Sequence, residues 1–285
     1  MLHEKKIALS FDLENVLSGS KDDWFLSVME QISKLLSRYN AKATFFAVGD
    51  IVDKYPELIK QLSDNGHEIG IHAANHHTEL DKISPNQFRL EILAIREKIK
   101  DISGKYPLGY RAARFSLTDK TKWILPILVE LGFLYDSSIV PVYLGEYGTK
   151  NAPLYPYRIS YSSILNEDQQ SSLWEVPIAT ADFDVVRVPI GGGVFFRFLP
   201  GWLFRFLVRT VSRFMVPVLY FHPHDFFESG GAKALAHLDP PGVARRFIYR
   251  RLRNVGLKSS FRKLDRLLAI YKGQTIETIL SENIS

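Results

Sequence analysis

The sequence predicts an α/β protein built on a parallel sheet or barrel. Three observations lead there. Short apolar runs alternate with stretches of helical periodicity in the order β-α-β-α-β, these runs end abruptly in carboxylates or imidazoles, and Pro and Gly punctuate the helix ends. In such folds the functional groups gather at the carboxyl ends of the strands.

The first strand is Lys6-Ile7-Ala8-Leu9-Ser10-Phe11-Asp12, followed at once by Leu13-Glu14-Asn15. Asp22 to Tyr39 has apolar residues at helical spacing, and Ala43 to Val48 reads as a second strand. Pro56 opens a helix that stops at Asn65-Gly66, with Pro in the first turn and Gly past the end. Glu68 to Ile71 is the third strand, and it delivers His72 and His76 beyond its end. Ser84-Pro85 starts a long helix to about Ile102, ended by Gly104, and Tyr110-Arg111 sits where a fourth strand would end. Asp119 to Leu131 is helical, and Tyr135-Asp136 gives the next short strand. From Val140 to Leu173 periodicity dissolves into Gly, Pro, Tyr and Ser, which reads as loop lining a cleft. Trp174-Glu175 resumes a strand with an acid near its end, and Val218 to Phe221 is the last strong strand, ending in His222-Pro223-His224-Asp225. Phe195 to Met215 reads as a core helix with one basic edge, too often interrupted by charge to span a bilayer but suited to lying on its surface. Gly191-Gly192-Gly193 reads as a tight turn without the strand-turn-helix setting or the lysine of a phosphate loop. No linker or repeat divides the chain, so residues 1–285 are expected to form one domain, with 231–285 a basic helical C-terminal extension.

With 46% hydrophobic and 24% charged residues, the composition excludes disordered and fibrous classes. The absence of cysteine removes disulfides, thiol catalysis and thiolate-metal sites together, so any metal must be held by His, Asp and Glu. The first strand begins near Lys6 with no exported leader before it, from which a cytoplasmic location is expected. The net charge of +5 comes from arginines and lysines concentrated after residue 196, among them Arg197, Arg205, Arg209, Arg213 and Arg245 to Arg253. A basic, aromatic-rich third of this kind faces anionic lipid, a phosphorylated carrier or nucleic acid, or is simply a solvated helix face.

Two imidazoles four residues apart, His72 and His76, have metal-ligand spacing, and a catalytic site then needs a third ligand from elsewhere. Asp12 and Glu14 end a buried strand, where a carboxylate is tolerated only if paired, metal-bound or capping the next helix. Arg111 is the candidate to hold Asp12 bidentately.

Taken in order, these strand ends resemble the polysaccharide deacetylase (NodB-homology, carbohydrate esterase family 4-like) family. Phe11-Asp12 with Glu14 matches its first motif, His72 and His76 its second, Arg111 its third, and Leu219-Tyr220-Phe221-His222 its last. The Tyr135-Asp136-Ser137-Ser138 and Gly191-Gly192-Gly193 stretches match a subgroup with a D-x-E start and an FHP ending, so the likeness runs to about Phe227. There are departures. Leu13 takes the place of a second aspartate, Ala113-Arg114 replaces Pro-Ser, and His224-Asp225 stands where Trp-Glu is more usual.

The resemblance implies a distorted (β/α) barrel with about seven parallel strands plus C-terminal helices. It implies a metal-dependent hydrolase that removes N-acetyl groups from an amino-sugar polysaccharide or lipid-linked glycan precursor. Glu14, His72 and His76 would hold a divalent metal, zinc first, with cobalt, nickel or manganese as alternatives, and His77 is the residue that would exchange with His76. Asp12, oriented by Arg111, would be the general base, and His222 the acid, kept protonated by Glu175 or Asp225. His224 is expected to line the cleft and His67 to be structural. Other readings are a hydrolase of a formyl amide or cyclic ureide, or a silent sugar- or membrane-binding module, since Leu13 breaks the usual acid pair. The expected partners are an N-acetylated glycan and, peripherally, an anionic membrane on the inner face, with no nucleic acid.

Overall fold

The computed structural model describes residues 5–14, 23–74, 80–143, 148–227 and 255–284. Its centre is a nine-stranded sheet curled into a half-barrel, in the order β10-β1-β2-β3-β4-β5-β7-β6, with β11 also paired to β1. The strands are β1 (Lys6–Leu13), β2 (Thr44–Ala47), β3 (Glu68–Ile71), β4 (Gly109–Tyr110), β5 (Tyr135–Asp136), β6 (Tyr157–Arg158), β7 (Trp174–Glu175), β10 (Val218–Phe221) and β11 (Lys272–Gln274). The seven strands from β10 to β7 run parallel, and only β6 is antiparallel to its neighbour. A separate hairpin pairs β8 (Thr180–Asp182) with β9 (Arg187–Pro189).

Central strands are buried, β1 from Ile7 onward and β2, β3 and β10 along their whole length, because helices cover the outer face, which is why they read as largely apolar runs. The helices begin and end where the sequence signals them. α1 spans Asp23–Arg38 and α2 Gly49–Lys54; α3 spans Pro56–Asp64 with Pro in its first turn. α4 (Pro85–Ser103) is capped by the Ser84 hydroxyl accepting from the Gln87 N–H, and ends at Gly104 in a left-handed conformation. α5 is shorter than expected, Ile124–Glu130, because residues 119–123 form turns.

Three departures affect the site. The segment expected as one core helix is two, α6 (Gly193–Phe198) and α7 (Gly201–Val211), broken where Pro200 cannot continue the first. The triple glycine does lie between a strand, β9, and a helix, α6. Its glycines serve close approach, since a Cβ on Gly192 would sit 1.4 Å from the Tyr220 carbonyl oxygen. The C-terminal region carries a strand as well as helices. β11 lies between α8 (Ser260–Leu268) and α9 (Ile276–Ile284), pairs with Lys6–Ala8 of β1, and its Gly273 carbonyl accepts from the Lys42 N–H just before β2. Strands from both ends of the sequence thus flank β1.

Candidate active site

Asp12 and Glu14 leave the carboxyl end of β1, His72 that of β3, Arg111 that of β4 and His222 that of β10, so parallel register alone delivers these side chains to one rim. Asp12, Glu14, His72 and Arg111 are all buried, and His222 is 19% exposed.

Arg111 is the hub. Its Nη1 donates to Asp12 Oδ1 at 2.7 Å and to Ser10 Oγ at 2.9 Å; Nε donates to the Ser137 carbonyl and Nη2 to Ser137 Oγ, both at 2.9 Å. Its guanidinium also lies 4.2 Å from the centre of the Phe46 ring. The expected pairing with Asp12 is present, but one carboxylate oxygen is held and not two, because the rest of the fork is spent on the serines. Asp12 Oδ2 is buried with no hydrogen bond from the described residues, 3.9 Å from His222 Nε2.

The Arg111 carbonyl accepts from His72 Nδ1 at 3.0 Å. A carbonyl cannot donate, so Nδ1 carries the hydrogen and Nε2 is the basic nitrogen, the tautomer a metal ligand needs. His76 and His77, like His3 and His237, lie outside the described residues.

His222 Nε2 stands 3.5 Å from Glu14 Oε1, and its Nδ1 is 3.2 Å from Asp225 Oδ2. Burial alone would depress this imidazole, but the bond to Asp225 and the charges of Glu14, Asp225 and Asp12 outweigh it and raise its pKa to about 9. Burial would raise Asp225; the bond from His222 and the charges of His224, His222 and Arg197 instead hold it well below the usual carboxylate range. Arg197, expected in the basic surface excess, turns inward and pairs with Asp225 Oδ1 at 2.8 Å. The acidic partner of His222 is therefore Asp225. Its position three residues on, in the turn begun by Pro223, also lets it accept from the His222 N–H.

Glu175 is elsewhere. It accepts from the Ile139 N–H and is hydrogen-bonded to Asp136. Burial raises both carboxyls, and the Asp136 charge raises Glu175 further, so the pair shares a proton. Asp136 Oδ1 accepts from Ser138 Oγ, which accepts from the Ala112 N–H, so this pair braces the segment carrying Arg111.

His224 stacks on His222 with ring centres 4.7 Å apart and an angle of 19° between planes. Burial and the His222 charge lower its pKa to about 4. Glu14, His222 and His224 each offer a donor atom within 4.8 Å of the others, a grouping the sequence did not suggest. His67 is structural: its Nδ1 accepts from the Ala43 N–H. A further acid missed in the sequence is Glu68, at the opposite end of β3, where it accepts from Thr44, Tyr135 and the Glu277 N–H.

A polysaccharide deacetylase model matches residues 2–133, and a domain of unknown function, DUF3473, matches residues 137–281. The first half of the chain, residues 2–133, is a polysaccharide deacetylase domain, and the second half belongs to the DUF3473 family. A peptidoglycan deacetylase of Helicobacter pylori is 32% identical over 110 residues, 39% of this chain and 36% of that protein. A peptidoglycan-N-acetylmuramic acid deacetylase of Bacillus subtilis is 33% identical over 102 residues, 36% of this chain and 35% of that protein. The matched stretch thus spans little more than a third of these relatives. Among solved structures, a polysaccharide deacetylase from Mycobacterium smegmatis superposes with TM-score 0.59 at 17% identity, covering 99% of this chain and 93% of that one. The Puue allantoinase superposes with TM-score 0.56 at 17% identity, covering 98% of this chain and 90% of that one. These two likenesses show the fold, the curled parallel sheet with helices on its outer face.

Proposed function

We propose that the protein hydrolyses N-acetyl groups from an amino-sugar polysaccharide or a lipid-linked glycan precursor. The observation that carries this reading is the opposition of a buried carboxylate and a charged imidazole across 3.9 Å, Asp12 held by Arg111 and His222 held by Asp225. Amide hydrolysis needs such a pair, one group to take a proton from water and one to give a proton to the departing amine.

A divalent ion, zinc first and otherwise cobalt, nickel or manganese, suits the same rim. Glu14 brings a buried carboxylate and His72 an imidazole with Nε2 as its basic nitrogen, and the third donor would be His76, on its spacing in the sequence alone. His222 and His224 are poorer ligands. The first is protonated, and in-plane lone pairs of near-parallel stacked rings do not meet at one ion about 2 Å from each. When bound, the ion would acidify water and polarise the acetyl carbonyl.

The chain's own residues then do the following. Arg111 fixes Asp12 through Oδ1, leaving Oδ2 as the basic oxygen that accepts the proton of the attacking water. His222, charged at neutral pH, donates its Nε2 proton to the sugar nitrogen as the amide C–N bond breaks. Arg197 and Asp225 hold the imidazole in orientation. The proposal includes a cytoplasmic location with peripheral contact to the inner membrane face.

The test is acetate release from N-acetylglucosamine oligomers and lipid-linked N-acetyl sugars, before and after chelation. Acetate release that chelation abolishes and zinc restores supports the reading. Opening of a cyclic ureide or deformylation without deacetylation would assign the site to that chemistry, and sugar binding without turnover would make the chain a silent module.

A further inference from the structure

α7 is apolar on two sides, and among the described residues only one of them is covered. Phe204, Leu207, Val208 and Val211 face the core. The opposite side carries Trp202 and Phe206, 67% and 55% exposed, and the turn after the helix adds Phe214 at 82%. Trp202, Phe206, Arg209 and Arg213 recur at intervals of four, three and four, which places them along one stripe. A helix this apolar is ordinarily buried all round, and solvent gives its outer aromatics no compensation.

Along the stripe itself the charge is of one sign, while on the neighbouring β8–β9 hairpin Asp182 is paired with Arg187 and Asp184 is exposed. No acidic residue lies between Arg187 and Asp225, while Arg205, Arg209 and Arg213 punctuate the exposed aromatics. Beside Phe214 the apolar surface continues into a groove of about 390 Å³ with Leu154, Tyr155, Ala181 and Met215 in its walls. The adjoining β8–β9 hairpin, which packs on α7, carries Val185 at its tip, 97% exposed.

Aromatics seated at the level of lipid headgroups, with arginines reaching to phosphates, are the arrangement by which a helix lies in a membrane interface. We propose that the outer face of α7, from Trp202 to Phe214, docks this protein on an anionic bilayer surface. A protein partner would need carboxylates placed between the arginines, whereas a bilayer offers both an apolar layer and diffuse negative charge to a convex surface. The proposal extends the membrane part of the reading above, and vesicle binding is scored apart from turnover so that either can fail alone.

The experiment is co-flotation of the full chain with vesicles of phosphatidylcholine alone and of an equal mixture with phosphatidylglycerol. Binding to the mixed vesicles only is expected. Each arginine near an anionic surface is worth about fivefold in affinity, so Arg209→Glu with Arg213→Glu should weaken binding by about twentyfold or more. Trp202→Ser with Phe206→Ser should abolish it, with the thermal midpoint unchanged because both side chains are exposed. Trp202→Phe should float normally yet lose the blue shift of tryptophan emission on binding. Equal binding to neutral vesicles, binding indifferent to both double variants, or no vesicle binding with self-association through Trp202 and Phe206 would each overturn the proposal.

Discussion

Arg111 Nη1 donates to Asp12 Oδ1 at 2.7 Å, and both residues are sealed from solvent. Removing one partner strands the other's charge in the interior, at a cost of about 3–5 kcal/mol. Arg111→Met is therefore expected to lose about that much stability in urea unfolding, and Arg111→Lys to recover little, because an ammonium cannot reproduce the bonds to Ser10 and Ser137. Pairing Arg111→Met with Asp12→Asn should restore part of the loss. A strictly additive double variant would mean the ion pair does not hold the two strands together.

Metal retention separates the two groups of donors that share Glu14. His72→Ala should purify with metal content far below one ion per chain, whereas His224→Trp should keep its ion, measured by elemental analysis after dialysis. The reverse result would make Glu14, His222 and His224 the ligand set.

Much of this rim was readable from the sequence, since an apolar run that ends in Asp12, Arg111 or His222 forces charge to a strand end where a core cannot hold it. Glu175 met the same criterion and has a different role, because a strand end does not say which neighbour a carboxyl faces; Asp136 and the Ile139 N–H claim it. The local spacing of His222, Pro223 and Asp225 was the better signal, a turn in which the third residue reaches back. β11 was not legible, as Lys-Gly-Gln has no strand propensity and pairs only because β1 leaves its first residues open beside Lys42. The break between α6 and α7 was missed although Pro200 marks it, because the apolar and aromatic residues run on without interruption to either side.

Asp225 supports the charged form of His222, so its removal must lower the His222 pKa from about 9. With the imidazole in its proposed role as the acid, activity is lost as pH rises through that pKa. Asp225→Asn is expected to move the alkaline limb of kcat/KM down by about one to two pH units. An unmoved limb would remove His222 from the acid role.

Glu68 makes a prediction about stability. Burial raises its pKa to about 7 in the folded protein, against bonds from Thr44 and Tyr135 that lower it, from an ordinary value near 4.5. The folded state thus binds the proton more tightly. Protonated Glu68 costs nothing below about 4.5; as pH climbs to about 7 the unfolded chain ionises first and folding loses on the order of 3 kcal/mol. Glu68→Gln, which cannot ionise, should lack this part of the decline, so the stability difference between variant and wild type should shift in the variant's favour from pH 5 to 8. A pH-independent difference would show that Glu68 titrates normally.

The central claim is that Asp12 takes the proton from water. The direct measurement is the initial rate of acetate release from an N-acetylglucosamine oligomer by metal-loaded wild type and Asp12→Asn, with metal content checked in both. A fall of about 10²- to 10⁴-fold at equal metal content is predicted; equal rates would contradict the assignment.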